Sequence, residues 1–344
     1  MKDLNKFRWC MFWWAIGDAF WAPVEFCWVW HFEPVDVVNW RIWLMKYWKD
    51  FWDWTDDTAM SNLLAESLIR CWKFDIEDQI ENYYKWHKTW YLWLKPYPEW
   101  EWLQVNKMMF FYEQYKAWLI SDKPWETDLS WEYMDWNGSL MRIGSIALYY
   151  FDDAEKALFY AWESSKSTHH TDLCIDSCIY YTGLIWWALH WVKKEELLKP
   201  FYSPVEEYRE RRDIARPVWL VVDGLYKEKT SNDIKPSWYV VESLEVALRG
   251  FYHSNSFEEW LKMIVDLWWD ADTTACIYWY LAWAYYWYDA ISDYLKEWLA
   301  AKDFIENITQ GLYTYKYKKY EWEIKPIVVW DHETRLWSDV LNEY

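Results

Sequence analysis

The sequence predicts a single all-α domain, on three observations. Apolar residues recur at helical spacing through most of the chain. Capping residues and prolines mark where those stretches begin and end. Period-two alternation is confined to the tail after residue 311. No Gly/Ser-rich linker divides the 344 residues and no tandem repeat stands out, so one domain over residues 1–344 is the simplest reading.

The elements follow in order. Residues 7–21 read as a helix broken by Pro23, and residues 27–54 as irregular, Trp-rich and turn-like, with Pro34. Thr55-Asp56-Asp57-Thr58 precedes a periodic run from Ala59 to Ile69, where acidic and hydroxyl side chains suit the free N–H groups of a helix start. Residues 75–90 form another helix; Pro96 and Pro98 make residues 91–102 a loop; residues 103–119 are helical again. A polar, turn-rich stretch from 120 ends in Asn137-Gly138. Helices are expected at 139–150, 153–162 and 170–192. Pro200, Pro204, Pro217 and Pro236 punctuate residues 200–236, with a helix around 204–213. Helices resume at 239–250, 256–267, 273–288 and 290–306. The tail alternates Tyr313, Tyr315 and Tyr317 with polar residues and continues through Ile327-Val328-Val329, which reads as a short hairpin.

Composition narrows the function classes. The 36 basic and 55 acidic residues leave a net charge of −19, which argues against binding a nucleic-acid backbone. It leaves room for a phosphate-bearing ligand, because metal ions and helix N-termini hold diphosphates inside acidic proteins. Asp18 and Glu25 interrupt the longest apolar stretch, so no membrane span is expected. The opening MKDLNKFRW lacks the features of a signal peptide. A cytoplasmic monomer is the expectation. The six cysteines contain no CxxC and do not cluster with histidines at ligand spacing, so free core thiols are favoured over zinc ligation.

Two segments concentrate acidic and hydroxyl groups: Thr55-Asp56-Asp57 and Asp270-Ala271-Asp272-Thr273, each directly before a helix. Adjacent carboxylates repel unless positive charge lies between them. Oxygen-only donors suit Mg²⁺, Mn²⁺ or Ca²⁺ rather than zinc. The alternative is two ordinary capping clusters, and the spacing does not show that the segments meet.

Six segments in order carry a resemblance. Ala15-Ile16-Gly17-Asp18-Ala19 with Pro23-Val24-Glu25-Phe26 is similar to the opening signature of the ADP-ribosylglycohydrolase family. Thr55-Asp56-Asp57-Thr58 resembles its first metal motif, Asn137-Gly138-Ser139-Leu140-Met141-Arg142 its central loop, and Thr168-His169 its Thr-His helix start. Tyr239 to Glu245 resembles the helix before the last motif, and Asp270-Ala271-Asp272-Thr273-Thr274-Ala275 the second metal motif. The resemblance spans residues 15–288.

It implies a compact all-helical fold holding two Mg²⁺ ions (or Mn²⁺) in a central cleft. It further implies a hydrolase that cuts the bond between ADP-ribose and an acceptor. Metal-assisted water would attack the anomeric carbon of the distal ribose. The acceptor would be a protein arginine or serine, or a small molecule. By the same resemblance Thr55, Asp56, Asp57, Asp270, Asp272 and Thr273 would ligate metal. Glu25, Asp57 and Asp272 would be catalytic. Asn137, Gly138, Ser139 and Met141 would line the ADP-ribose pocket, and His169 would contact the ligand or, as a helix-terminal histidine, hold the residues behind it in place. Arg142 would meet an anion or a buried salt-bridge partner. The family's further acidic residue between the first metal motif and the central loop has no clear match; Glu99 and Glu101 lie in the region.

The chain departs from the family where glycine is usual. Trp is 37 residues and Gly only 7, against roughly 7% Gly in ordinary chains. Trp13, Trp14, Trp21, Trp136, Trp268 and Trp269 flank the motifs, and Trp279, Trp283 and Trp287 recur at spacings of four. Each adds a ring where a small residue lets backbones approach, and overpacking costs about 1–3 kcal/mol per site. The alternative function is therefore a non-catalytic binding or structural protein, crystallin-like, on the same scaffold. A ligand-facing or exposed aromatic stripe is a further reading of Trp279, Trp283 and Trp287.

Overall fold

Helices that are apolar on every side have nowhere to lie but the middle of a domain. Three in this chain are buried along most of their length, with polar residues among the buried ones. A computed structural model describes residues 3–22, 54–89, 91–92, 103–127, 135–210, 213–230, 233–234, 237–254, 270–286 and 299–314. Its helices, numbered as described, are α1 Leu4–Trp21, α2 Asp56–Cys71, α3 Ile76–Thr89, α4 Leu103–Lys116, α5 Gly144–Tyr149, α6 Ala154–Ser165, α7 Asp172–Leu189, α8 Lys194–Leu197, α9 Glu206–Glu210, α10 Arg216–Val222, α11 Val240–His253, α12 Ala271–Tyr286 and α13 Lys302–Thr314. Short 3₁₀ turns occupy Pro124–Glu126, Asn137–Ser139 and Leu225–Lys227. The fold is all-α. Among the described residues the strand-like pairing is a single antiparallel bridge between Trp136 and Tyr239.

α1 is buried at every position from Trp9 to Ala19, α2 from Asp57 to Ile69, and α12 from Asp272 to Ala284. α12 packs along α1 and also against α11 and α7, while α13 covers α1 and α2. Arg8 clasps Glu306 through Nε and Nη2 at 2.8 and 2.6 Å, tying α1 to α13. α6 packs on α7, and α3 joins α2 to α4. No described helix is long and apolar enough to cross a membrane.

The tryptophans of α1 and α12 are core. Trp13 stacks on Trp283 at 4.4 Å and on Trp279 at 5.4 Å, nearly parallel to both. All three are buried and stack on one another, so Trp279 and Trp283 do not form an exposed stripe. Trp287, Trp268 and Trp269 lie outside the described residues. Room for Trp279 comes from Gly17: a Cβ there would lie 2.2 Å from the indole Cδ1. Contacts pair Trp13 with Trp283, Gly17 with Trp279 and Asp18 with Cys276, so α1 and α12 run antiparallel.

Several boundaries differ from expectation. Residues 139–150 divide into the Asn137–Ser139 turn and a shorter α5. The expected helix 170–192 ends at Leu189, where the His190 amide closes the last turn on Ala188 and Trp187 carbonyls. α10 was hidden by Pro217, which stands in its first turn, where a missing N–H costs nothing. Residues 311–314, expected in the hairpin, close α13 instead, with Leu312 buried on its apolar face. The expected helix 256–267 and the remainder of the tail lie outside the described residues.

Candidate active site

The site begins with a helix start that is capped from another helix. Thr55 occupies the N-cap of α2 but makes no side-chain capping bond. Asp18, near the end of α1, does so instead. Its carboxylate accepts from Thr55 N at 2.9 Å, Thr58 N at 3.0 Å, Thr55 Oγ1 at 2.8 Å and Thr58 Oγ1 at 2.6 Å. A carboxylate at a helix N-terminus is stabilised by the aligned peptide dipoles. Burial pushes the Asp18 carboxyl up despite these four donors.

With Asp18 serving the backbone, Asp57 is left to point elsewhere. Its Oδ2 lies 3.3 Å from the hydroxyls of both Thr55 and Thr273, and Thr273 is 216 residues away in sequence. That contact brings the two acidic segments together. Asp57 Oδ1 is buried and has no hydrogen-bond partner. At the start of α12, Asp270 Oδ2 accepts from Asn137 Nδ2 at 2.6 Å, whereas Asp270 Oδ1 has no partner. Asp272 Oδ1 accepts from Thr273 N at 2.9 Å. Asp57, Asp270 and Asp272 are almost wholly inaccessible, while Asp56 and Thr55 are partly exposed at the rim.

The electrostatics are those of anions crowded without a counter-charge. Burial, then the neighbouring Asp18 and Asp272 charges, raises the Asp57 carboxyl well above the usual range. Burial and Asp270 do the same to Asp272, and burial lifts Asp270 to about 7. Among the described residues no Lys or Arg forms an ion pair with Asp18, Asp57, Asp270 or Asp272. The orphaned oxygens of Asp57 and Asp270, with the unpartnered hydroxyl of Thr274 one helical turn after Asp270, fit a hard divalent cation. Asp18, Asp57 and Cys276 also place one ligand-type atom each within 4.8 Å of one another.

The central loop abuts this cluster. Its bridge to the start of α11 is made by Asn137 N on Trp238 O and Val240 N on Asp135 O, at 2.9 and 2.8 Å. Asn137 donates its amide to Ser243 Oγ and to Asp270, so the loop, α11 and α12 are joined at one side chain. Gly138 is roofed by His169: a Cβ at 138 would lie 2.9 Å from the imidazole Cε1. Ser139 accepts from Ser165 Oγ at 3.1 Å and from Cys178 Sγ at 3.4 Å, and Met141 is buried. His169 Nδ1 is 2.6 Å from Thr168 Oγ1, and burial drives its pKa well below the ordinary value.

Of the two roles expected for Arg142, an anion contact or a buried salt bridge, the second is not observed among the described residues. Its buried guanidinium donates to Ser167 and Thr168 hydroxyls and lies 4.7 Å over the Tyr83 ring. No carboxylate pairs with it among the described residues. Glu25, Glu99 and Glu101 lie outside the described residues. Sequence reasoning missed Asp18, Ser243 and Cys276 as members of the site. Asp18 stands in the opening signature, but no local spacing says which helix it caps. The cysteines described are free, as expected.

A small cavity of about 30 Å³ lies elsewhere, lined by Leu158, Asp176, Tyr180, Gly183, Phe201 and Tyr202. It includes none of the acidic cluster.

Residues 1–321 match the ADP-ribosylglycohydrolase family. The chain belongs to that family. Two curated relatives are named ADP-ribosylarginine hydrolase Tri1. The one from Pseudomonas putida is 26% identical over 76% of this chain and 66% of its own length, so the chain spans just under two thirds of it. The one from Serratia proteamaculans is 23% identical over 91% of this chain and 80% of its own length. An uncharacterised protein of Archaeoglobus fulgidus is 26% identical over 90% and 96%. A solved structure titled ADP-ribosylglycohydrolase-related protein complex superposes with a TM-score of 0.69, at 25% identity, covering 91% of this chain and 98% of that one. Family and fold together class the chain as an ADP-ribosylglycohydrolase-type enzyme.

Proposed function

We propose that this chain is a Mg²⁺-dependent hydrolase that releases ADP-ribose from ADP-ribosylated arginine, acting as a cytoplasmic monomer. Serine-linked and small-molecule conjugates are the competing substrates. The observation that carries the reading is the meeting of Asp57 with Thr273, which gathers four buried carboxyls, two of them with an orphaned oxygen, and among the described residues no cationic side chain is paired to them. The names of the two Tri1 relatives favour the arginine linkage.

Thr55, Asp56, Asp57, Asp270, Asp272 and Thr273 would hold two Mg²⁺ ions, or Mn²⁺. When bound, such ions supply Lewis acidity toward ribose hydroxyls and a water of lowered pKa. Asp18 keeps the start of α2 in place without spending Asp57 on the backbone. Asn137 orients Asp270, and the buried Asn137–Met141 segment with His169 forms one wall toward the ADP-ribose. Asp57 Oδ1 is the atom without a partner and so is placed to take a proton from a water or sugar hydroxyl. Glu25 is assigned a catalytic part on the resemblance alone.

The test is release of ADP-ribose from arginine-, serine- and acetate-linked conjugates at millimolar Mg²⁺. Turnover should be greatest on the arginine conjugate, vanish with chelator, and fall at least about 100-fold in Asp272→Ala. Binding of ADP-ribose without release from any conjugate would replace the hydrolase by the non-catalytic reading on the same scaffold.

A further inference from the structure

His169 presents a nitrogen that the protein does not use. Its Nε2 is buried and has no partner, on the ring edge that overlies Gly138. What that nitrogen can do depends on which ring nitrogen carries the proton, and the surrounding hydrogen bonds decide this. Nδ1 meets the Thr168 hydroxyl at 2.6 Å. The same Thr168 oxygen receives Nη2 of Arg142, also at 2.6 Å. A guanidinium only donates. Thr168 must therefore accept from Arg142, and its own O–H has His169 Nδ1 as its acceptor. In the opposite arrangement Nδ1–H would donate to Thr168 as well. Two donors would then converge on one oxygen and the buried hydroxyl proton would have no acceptor, at a cost that burial makes large.

Arg142 is itself fixed. It is wholly buried, its Nη2 also donates to Ser167 Oγ at 3.0 Å, and its guanidinium lies over Tyr83. Its positive charge opposes protonation of the nearby imidazole. Gly138 completes the arrangement. A Cβ there would sit 3.1 Å from Nε2 and would cover the nitrogen.

We propose that Arg142 is a positioning residue which, acting through the Thr168 hydroxyl, holds His169 as the neutral Nε2–H tautomer and presents that N–H across Gly138 to an oxygen of the bound ligand. The ligand class, a sugar hydroxyl or phosphate oxygen of ADP-ribose, rests on the function proposed above; the tautomer does not.

The spectroscopic test uses the full-length chain labelled with ¹⁵N and two-bond ¹H–¹⁵N correlation of its histidines. His169 should show a protonated Nε2 and an unprotonated Nδ1. Thr168→Val should shift it toward the Nδ1–H form, and Thr168→Ser should leave it as it is. Arg142→Met provides a second route to the same shift if Thr168→Val does not fold. An Nδ1–H form in the unaltered chain, or a tautomer indifferent to both disruptive changes, overturns the proposal. The binding arm measures Mg²⁺ affinity, KM and kcat. Thr168→Val should raise KM about tenfold, as loss of one well-placed hydrogen bond does, with kcat and Mg²⁺ affinity within a few-fold of the original; Thr168→Ser should restore KM. An unchanged KM overturns the ligand contact. If the unaltered chain binds no ADP-ribose, the proposed function falls with the ligand contact, while the spectrum still decides the tautomer.

Discussion

α1 and α12 touch along their length, and the two ends of that contact obey opposite rules. At one end Trp13, Trp279 and Trp283 stack in a buried slab whose bulk Gly17 makes room for. At the other, Asp18 on α1 and Asp270 and Asp272 at the start of α12 crowd carboxyls into the same dry interior. The aromatic end fills its volume with stacked, uncharged rings. The acidic end leaves oxygens of Asp57 and Asp270 unpartnered and raises the pKa of every carboxyl in the cluster. Identical burial therefore means stability in one place and stored electrostatic cost in the other. A ligand-binding site is expected where buried charge is left uncompensated, not where packing is densest.

The sharpest way to break the comparison is to neutralise the acidic end. Asp57→Asn should weaken Mg²⁺ binding by at least about 100-fold by calorimetry, while the melting temperature without metal stays level or rises. A large loss of metal-free stability would mean the carboxylate is structural. The aromatic end should answer in reverse. Trp13→Ala should cost about 3–5 kcal/mol in denaturant unfolding, as deletion of a buried ring does, with Mg²⁺ affinity nearly unchanged. Replacing Trp13 by glycine should likewise destabilise. That outcome is opposite to the reading in which a small residue is wanted there, and a gain in stability would restore that reading.

The smallest effect sharpens the acidic end further. Carboxyls whose folded pKa lies above the unfolded value near 4 stabilise the fold fully below that value and cease to as pH rises through the folded one. For Asp270 that upper limit is about 7. Without metal, the melting temperature should fall by several degrees between about pH 4 and about pH 7, and Mg²⁺ should recover it at the upper end. Asp270→Asn should flatten the slope. A metal-free profile that rises over this range would show that the carboxyls are compensated by something other than a cation.

Much of this architecture was legible beforehand. The starts of α2 and α12 could be placed because Asp and Thr before an apolar run commonly mark a helix start, although at α2 the capping oxygens come from Asp18 of another helix. The boundary of α10 could not, because Pro217 reads equally as a breaker and as a first-turn residue until the chain on both sides is seen. The Trp residues looked like excess volume because a sequence states the size of a side chain and not the hole opposite it. Arg142 looked like half of an ion pair because a buried guanidinium usually has a carboxylate; here hydroxyls and a tyrosine face hold it.

The sequence by itself determined the all-helical class, the family and the residue types of both acidic segments, since these depend on local periodicity and on short ordered motifs. Only the tertiary structure decided that Asp18 caps α2, that Asp57 reaches Thr273, that Asn137 binds Asp270 and that Gly17 receives Trp279. Each is a contact between distant segments, set by how antiparallel helices register their side chains. Hydrogen bonds and packing act over a few ångströms of space, and no spacing along the chain encodes that distance.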